Sequence, residues 1–518
     1  MTRHYLGIDS STQGVKALVI DPENGRVVGR ASVSYGIDLP QYGCPDGVLP
    51  HADPLVKHSN PLLWLAALDL LLARLRESAG SLADVVAIGG DGQQHGSVYL
   101  RERFAADLAG LSKNETLASQ LAPALARSTS PIWMDSSTTQ ACCELMKQFG
   151  TRLQRDTGSP AIERFTGPQI RKFAQEESEH YAQTARIHLV SSFLCSVLIG
   201  ADAPLDTGDG AGMNLLNLKT QTWDDEITEF TAPSLRAKLP RVATGVAGKL
   251  HPYFEKYGLQ AGLPVAVWTG DNPASLIGTG ACRSGMGVVS LGTSDTLFAA
   301  FDNYRTDPDG YGHVFGNPAG GFMSLTCFKN GSLARDRLRQ EAGLDWTTFD
   351  RDVFGSGESR VPEHVALPWF TPEITPLASV PGLRAHFNWS ATGLKERIRA
   401  AVWGQFLSMR RHTAWIGNFS TLRVTGGGSQ SAGIRQILAD VFQARVATLA
   451  LTDSAALGSA MLAAQLDGFS LEELGKTFAP VVSVCEPDCS KVPMVDRLLL
   501  EIEQLESEPP AAGCCGLG

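Results

Sequence analysis

Near the start of the chain stands the stretch Tyr5-Leu-Gly-Ile-Asp-Ser-Ser-Thr-Gln-Gly-Val-Lys-Ala-Leu-Val-Ile20, in which a polar turn separates two apolar runs. The second run, Val15 to Ile20, alternates apolar and other residues as a strand does. Another turn, Asp21 to Gly25, leads into a third strand-like run, Arg26 to Ser34. The opening therefore predicts an antiparallel β-meander.

A similar pattern returns about half the chain later. Gly287 to Leu291 and Asp295 to Phe301 have the composition of strands, and the polar turn Gly292-Thr-Ser294 joins them. A further strand, Thr421 to Thr425, runs directly into Gly426-Gly-Gly-Ser-Gln430. A strand that ends in glycines and then opens a helix is the usual setting of a nucleotide loop. Two similar α/β halves with polar turns predict a cleft between two domains.

Helical patterns lie between these strands. Asn60 is a suitable N-cap for a helix that begins at Pro61, and Val85 to Ile88 forms a short buried strand that ends in Gly89-Gly-Asp-Gly92. Later helices are predicted at residues 394–415, 431–442 and 454–465. We expect an N-terminal domain at residues 1–277, a C-terminal domain at 278–505 and a disordered tail at 506–518.

Size and charge narrow the classes of protein. A chain of 518 residues is too long for one hydrophobic core, and its net charge of −10 argues against a nucleic-acid or anionic-membrane partner. Its ten cysteines are scattered, which predicts free thiols in a reducing cytosol. The strongest apolar stretch, Leu62 to Leu72, is short and broken by Asp69, so we expect no membrane span. We expect a cytoplasmic protein that is a monomer or a homodimer.

Two Ser/Thr/Gly turns are candidates for binding phosphate. The first, Gly7-Ile-Asp-Ser-Ser-Thr12, offers hydroxyl and backbone donors, and the carboxylate of Asp9 can hold Mg²⁺ through the waters of the ion. An ordinary hairpin turn has the same composition. The second turn, Ser290-Leu-Gly-Thr-Ser-Asp295, favours the phosphate interpretation, because two such turns can grip one triphosphate from both sides.

The glycine-rich loop Gly426-Gly-Gly-Ser-Gln-Ser431 is a third candidate for binding the nucleotide. Consecutive glycines let a backbone approach a flat ligand closely, as an adenosine loop requires, whereas a C-cap or a flexible loop is the alternative. It is not a Walker A loop, because no Gly-Lys-Ser/Thr follows.

Two further segments carry groups suited to a hydroxylated substrate. Val267-Trp-Thr-Gly-Asp-Asn272 delivers Asp271 at a strand end, where a carboxylate can accept the proton of an attacking hydroxyl. An N-cap role for Asp271 is equally compatible with the spacing, since Pro273 fits a first helical turn. Gly92-Gln-Gln-His-Gly96 forms a polar lip suited to sugar hydroxyls, although a single histidine is more often structural.

Taken in order, these segments resemble the FGGY family of carbohydrate kinases, whose two domains have the actin/hexokinase/Hsp70-type, ribonuclease H-like α/β fold. The resemblance covers roughly residues 4–480 and is strongest to the animal-type kinases of D-xylulose. Six separated blocks carry it: Gly92-Gln-Gln-His-Gly-Ser97, Trp133-Met-Asp-Ser-Ser-Thr-Thr139, Glu163-Arg-Phe-Thr-Gly167, Gly270-Asp-Asn-Pro-Ala-Ser275, Ser290-Leu-Gly-Thr-Ser-Asp-Thr-Leu-Phe298 and Cys327-Phe-Lys-Asn-Gly-Ser332.

On the sugar side, the resemblance implies that Asp271 is the catalytic base. It also implies that His95, Arg164, Asp271 and Asn272 hold the sugar. A ketose carries no charge, so its pocket must discriminate by hydrogen bonds, and these side chains supply donors and acceptors.

On the nucleotide side, the resemblance implies two phosphate loops, an adenosine loop and a tryptophan beside the nucleotide. The residues concerned are Asp9 and Thr12, Gly292 and Thr293, Gly427, Gly428 and Ser431, and Trp346. The first loop would handle Mg-ATP. Animal-type members carry His-Asn where this chain has Gln430-Ser431.

Together these features predict an ATP-dependent kinase that phosphorylates O5 of D-xylulose, with ATP and Mg²⁺ as cofactors. Two alternatives stay open at this point. The substrate can be another ketose or polyol, such as ribulose, glycerol or gluconate, or the chain can be an ATPase of the actin/Hsp70 type without kinase activity. The pair Asp271-Asn272 beside a polar lip favours a kinase.

Overall fold

The structure, a computed structural model, describes residues 3–79, 81–355 and 360–508. Its first mixed sheet has seven strands. They are β1 (His4–Ser10), β2 (Gly14–Asp21), β3 (Arg26–Ser34), β4 (Val85–Gly92), β5 (Val246–Lys249), β6 (Pro264–Ala266) and β7 (Thr269–Gly270). Strands β1 to β3 form the predicted antiparallel meander, and β4 lies parallel to β1 on its other side.

A second seven-stranded sheet repeats this arrangement. Its strands are β8 (Met286–Leu291), β9 (Asp295–Phe301), β10 (His313–Gly316), β11 (Phe322–Phe328), β12 (Thr421–Thr425), β13 (Arg445–Leu449) and β14 (Val481–Cys485). The order is β10-β11-β9-β8-β12-β13-β14. Again a hairpin, β8 with β9, is followed by an antiparallel neighbour, β11, while β12 runs parallel to β8. The predicted repeat of strand, polar turn and strand is therefore confirmed.

Helices cover both sheets. The longer ones are α1 (Pro61–Ala79), α2 (Thr139–Phe149), α3 (Thr166–Glu176), α4 (Val190–Ile199), α5 (Asp271–Gly278), α6 (Ser332–Glu341), α7 (Trp346–Phe354), α8 (Leu394–Thr413), α9 (Ala432–Phe442), α10 (Ser454–Gln465) and α11 (Val492–Ser507). The predicted cap of α1 is confirmed, because Asn60 Oδ1 accepts a hydrogen bond from the backbone N–H of Leu62 at 3.0 Å.

Shorter elements complete the chain. The short helices are Tyr35–Asp38, Phe104–Ala109, Leu117–Leu121, Thr151–Thr157, Ser178–Ala182, Thr207–Gly210, Asp225–Thr231, Leu235–Lys238 and Leu471–Phe478. The strands of the two-stranded ladders are His58–Ser59, Ser97–Leu100, Ser130–Pro131, Arg186–Leu189, Leu216–Asn217, Thr222–Trp223, Ala366–Trp369, Glu373–Ile374, Leu377–Ala378 and Gly382–Ala385.

Helix α10 comes from the C-terminal half of the sequence but packs on the first sheet. A Cβ atom at Gly7 would lie 2.1 Å from the carbonyl oxygen of Ala456, and one at Gly89 would lie 2.1 Å from that of Ser459. Only glycine permits so close an approach of sheet and helix backbones. A helix from the C-terminal half of the sequence is thus packed directly against the middle of β1 and β4.

Three other sequence predictions can be compared with the structure. Every described helix is too short or too polar to span a lipid bilayer. The eight cysteines among the described residues are free thiols. Helix α11 continues to Ser507, so residues 506 and 507 are helical rather than part of a tail, and residues 509–518 lie outside the described residues.

Candidate active site

Two aspartates lie side by side at the ends of neighbouring strands. Asp9 on β1 is directly opposite Asp91 on β4, and both side chains are buried. Ser11 Oγ donates a hydrogen bond to Asp9 Oδ1 at 2.6 Å, and Ser459 Oγ on α10 donates one to Asp91 Oδ2 at 2.6 Å. Burial raises the pKa of both carboxyl groups, and for Asp91 the negative charge of Asp9 adds to that effect.

Asp271 is the first residue of α5, directly after β7. Gly270 occupies the N-cap position, so the alternative N-cap role for Asp271 is wrong. Asp271 Oδ1 accepts hydrogen bonds from the backbone N–H of Asn272 at 2.8 Å and from its side-chain Nδ2 at 3.1 Å. Burial, and then the negative charge of Asp9, raises the pKa of Asp271 to about 7. A carboxyl group with this pKa is suited to accept a proton near neutral pH.

Asn272 connects the polar lip after β4, Gly92 to Gly96, to Asp271 by hydrogen bonds. Gln94 Oε1 accepts a hydrogen bond from Asn272 Nδ2 at 2.9 Å, and Gln94 Nε2 donates one to the carbonyl of Gly208 at 3.3 Å. The structure therefore brings the predicted residues Asp271 and Asn272 together with the lip. Gln94 was quoted in the motif but was not predicted as a site residue.

His95 is held as a neutral acceptor. Its Nδ1 lies 2.9 Å from the carbonyl oxygen of Gly212, so Nδ1 carries the proton and Nε2 keeps its lone pair. Its ring stacks on Phe165 at a centroid distance of 4.3 Å. Burial, and then the positive charge of Arg164, lowers the pKa of His95 to about 3. The ring is therefore uncharged at neutral pH.

Arg164 precedes α3 and lies close to the same aromatic ring. Its guanidinium carbon is 5.6 Å from the centroid of Phe165, and Nη2 donates a hydrogen bond to His313 Nε2 at 3.1 Å. Burial lowers the pKa of Arg164. His95 and Arg164, predicted as sugar-binding residues, thus contact the same ring, that of Phe165.

The two phosphate turns lie at the hairpins β1–β2 and β8–β9. Thr12 Oγ1 in the first turn accepts a hydrogen bond from the indole N–H of Trp133 at 2.7 Å, and this tryptophan is 44% exposed. In the second turn, the carbonyl of Gly292 accepts from Ser332 N at 2.9 Å and that of Thr293 from Leu333 N at 3.4 Å. These bonds attach the second turn to the start of α6.

Asp295 and Arg335 form a buried ion pair under the second turn. The guanidinium makes two hydrogen bonds to the carboxylate, at 2.7 and 2.8 Å, and both side chains are almost fully buried. Such a bidentate pair fixes the geometry of both partners. It therefore links the end of the turn to α6 and to a neighbouring cavity that Arg335 lines.

A cavity of about 760 Å³ lies beside the second turn. It brings together all four residues predicted for the adenosine site, which are distant in sequence. Its lining consists of Ser332, Arg335, Trp346, Thr347, Phe349, Asp350, Arg351, Gly355, Gly427, Gly428, Gln430, Ser431 and Ile434. Its volume and mixed lining are those of a small-molecule site.

One residue of the glycine loop has a left-handed backbone. Positive φ occurs at Gly426, with φ of 83°, and not at Gly427 or Gly428. A Cβ atom at Gly427 would meet no atom within 4 Å, so this residue leaves open space in the cavity. Ser431 caps α9, with its Oγ accepting from Ile434 N at 3.1 Å, and also donates to Asp350 Oδ1.

Among the described residues, no group of three or more His, Cys, Asp or Glu side chains is arranged to hold a metal ion. Asp91 Oδ1 is buried without a hydrogen-bond donor, and Asp9 lies opposite it. A pair of carboxylates that protein donors do not fully satisfy fits a Mg²⁺ ion that keeps most of its waters and phosphate ligands.

Comparison with known proteins agrees with this geometry. The model of the FGGY family of carbohydrate kinases matches residues 125–278 with its N-terminal domain and residues 287–466 with its C-terminal domain. A xylulose kinase of Rattus norvegicus is 40% identical over 472 residues, which cover 88% of this chain and 87% of the relative. The chain belongs to the FGGY family of carbohydrate kinases. Xylulose kinase 2 of Arabidopsis thaliana is 37% identical over 512 residues, covering 93% of this chain and 90% of the relative.

The fold of this FGGY kinase is also that of solved structures. A crystal structure described as a xyloylose kinase from Brucella ovis has a TM-score of 0.81 at 23% identity, covering 97% of this chain and 98% of the other. The predicted actin/hexokinase-like pair of α/β domains is confirmed.

Sequence reasoning missed several residues around the sites of this FGGY kinase. Asp91 and Gln94 lie inside quoted motifs, and their position at the end of a buried strand was a usable signal. His313, Arg335 and Asp350 follow from no local pattern, because each meets its partner only through packing of distant segments.

Proposed function

We propose that this FGGY kinase transfers the γ-phosphoryl group of ATP to O5 of D-xylulose, giving D-xylulose 5-phosphate and ADP. Asp271 acts as the general base. The observation that carries the proposal is the setting of this carboxylate. It is half-buried, has a pKa raised to about 7, and is connected through Asn272 and Gln94 to a lip of neutral hydrogen-bonding groups.

The sugar pocket is suited to an uncharged polyhydroxylated ligand. His95 offers an acceptor at Nε2 and Asn272 offers one at Oδ1, while Arg164 offers donors. A guanidinium fork can bridge neighbouring hydroxyls and needs no anionic partner. The high identity to xylulose kinases from an animal and a plant supports D-xylulose as the ketose.

The nucleotide is assigned to the 760 Å³ cavity. Trp346 offers an aromatic face at its edge, and Gly427 leaves room for the adenosine beside the backbone. The turns at Asp9 and Thr12 and at Gly292 and Thr293 are assigned to the phosphates. Mg²⁺, held by Asp9 through water, would neutralise phosphate charge during the transfer.

In the reaction, the sugar O5 forms a bond to Pγ while the bond from Pγ to the bridging oxygen of ADP breaks. The proton of O5 passes to the carboxylate of Asp271. Asn272 donates two hydrogen bonds to Oδ1 and so orients the carboxylate. Exclusion of water from the site favours the sugar hydroxyl over a water molecule as nucleophile.

An ADP-coupled assay with D-xylulose and Mg-ATP tests the proposal. Turnover that depends on both the sugar and ATP is expected, with formation of a pentulose 5-phosphate. ADP release without any sugar dependence would instead favour an ATPase of the actin/Hsp70 type. The domain limits at residue 277, the cytoplasmic location and the monomeric or homodimeric state stay predictions from the sequence.

A further inference from the structure

Arg164 is a half-buried cation that forms no ion pair with any described carboxylate. Its one hydrogen bond among the described residues runs from Nη2 to Nε2 of His313, at 3.1 Å. An arginine side chain has several rotatable bonds, so a guanidinium without an anchor would sample many orientations. Something must therefore hold it if it is to meet a sugar hydroxyl in one fixed geometry.

We propose that His313 is a positioning residue that holds the Arg164 guanidinium toward the sugar. This inference rests on the proposed function, in which Arg164 binds the substrate. His313 does not take part in the chemistry. It acts through Arg164, and its contribution is to sugar recognition.

The hydrogen bonds around His313 define its tautomer. Because Nε2 accepts from Arg164, Nδ1 carries the proton, and Nδ1 donates to Ser159 Oγ at 3.2 Å. His313 is 5% exposed, and burial together with the positive charge of Arg164 holds its pKa well below the ordinary value. A neutral ring is required here, because a charged imidazolium could only donate.

Ser159 anchors the other end of this chain. It is fully buried, and its carbonyl accepts a hydrogen bond from Asn214 Nδ2 at 3.0 Å. The hydrogen-bond chain Ser159–His313–Arg164 therefore runs from a buried segment to the guanidinium that we assign to the sugar. Phe165 supports it from the side, with its ring 5.3 Å from His313 and 4.3 Å from His95 between centroids.

A histidine serves this purpose better than a carboxylate would. An aspartate in its place would bind the guanidinium with two hydrogen bonds and neutralise its charge. His313 accepts from one N–H of the Arg164 guanidinium, and the other N–H groups of that guanidinium have no described acceptor. Those N–H groups remain available to bridge the hydroxyls of an uncharged sugar.

His313 also comes from the other half of the molecule. It lies on β10, at the edge of the second sheet, whereas Arg164 precedes α3 in the first half. The strand is fixed there by a hydrogen bond from Val314 N to the carbonyl of Gly158 at 3.0 Å. Sugar recognition by Arg164 therefore depends on the position of β10.

The test compares His313→Leu, which removes the acceptor, with His313→Gln, whose amide can accept from Arg164 and donate to Ser159. We expect His313→Leu to raise the KM for D-xylulose about tenfold or more, with the KM for ATP changed by less than about twofold. His313→Gln should restore most of the sugar affinity. Ser159→Ala, which keeps the histidine but removes the acceptor of Nδ1, should raise the same constant by a smaller factor.

A double-variant cycle shows whether His313 acts through Arg164. In an Arg164→Met background, His313→Leu should raise the KM for sugar no further, because the group that it positions is gone. Full additivity, or equal increases in the KM for sugar and ATP, would overturn the inference. His188→Gln is the matched control, since this buried histidine bonds to Ser192 on α4 and to Asp202, and it has no described contact with Arg164 or His313.

The two proposals fail in different ways. If Arg164→Met leaves the KM for D-xylulose unchanged in an active enzyme, the sugar site of the proposed function is misplaced. If Arg164→Met raises that constant but His313→Leu and Ser159→Ala do not, only the positioning role is wrong.

Discussion

Asn272 Nδ2 donates a hydrogen bond to Gln94 Oε1 at 2.9 Å and thereby joins the first turn of α5 to the loop after β4. The same amide nitrogen lies 3.1 Å from Asp271 Oδ1. The carboxylate that we assign as the base is thus oriented by a neighbour that is itself fixed to the sugar lip. This contact network fixes the position of Asp271, whereas its raised pKa comes from burial and from the charge of Asp9.

Replacement of Asp271 by alanine should abolish sugar phosphorylation while leaving nucleotide binding and folding nearly unchanged. Loss of a general base typically lowers the rate by ~10²–10⁴-fold. Steady-state kinetics with D-xylulose and calorimetry with ATP measure the two effects. Asp225→Ala, which removes a carboxylate that is 88% exposed, is the control. A variant at Asp271 that keeps more than about a tenth of the wild-type kcat would contradict the assignment.

The dependence of kcat/KM on pH should show a limb that reports Asp271. Its pKa is raised to about 7, so below that pH the carboxyl group is protonated and cannot accept the proton of O5. The value for D-xylulose should therefore rise by about tenfold per pH unit up to near neutrality and then level off. A profile that is flat from about pH 5 to pH 8 would be inconsistent with a base of this pKa.

Gly427→Val should raise the apparent KM for ATP far more than that for sugar. A branched side chain would occupy the open space that Gly427 leaves in the cavity. Gly428→Val should have a similar effect but also strain the loop, because a Cβ atom there would lie 2.9 Å from Leu291 Cβ. Gly393→Val is the matched control, since Gly393 also has open space around it and lies outside the cavity lining. Unchanged ATP affinity in folded Gly427→Val would place the adenosine elsewhere.

D-Xylulose should be used with a kcat/KM about tenfold or more above D-ribulose, glycerol or gluconate. The two pentuloses differ in one hydroxyl configuration, and a buried group left unpaired by the wrong sugar costs ~1–3 kcal/mol. His95 Nε2 and the Arg164 fork are the groups concerned, so His95→Ala should lower the rate and narrow the preference. Initial rates with each sugar at fixed Mg-ATP measure this preference. A higher kcat/KM with ribulose or glycerol would leave the assignment to the FGGY family unchanged but would contradict D-xylulose as the preferred substrate.

The local elements of this fold were predictable because their causes are local. The strands at residues 4–34 follow from alternation and turn residues, and α1 begins where Asn60 caps its first turn. Helix α10 matches the predicted limits 454–465. The segments that we assign to the base, the sugar and the nucleotide could be predicted for the same reason, since each lies within a short run of sequence.

The sequence by itself determined the two repeated halves, the polar turns and the identity of the residues that end their strands, because these depend on neighbours a few positions apart. Only the tertiary structure decided that Asp91 faces Asp9, that His313 holds Arg164, and that Asp350 meets Ser431. It also decided the chemical state of Asp271, whose pKa of about 7 results from burial and from the charge of Asp9. Burial and charge proximity are set by segments hundreds of residues apart, so no local pattern records them.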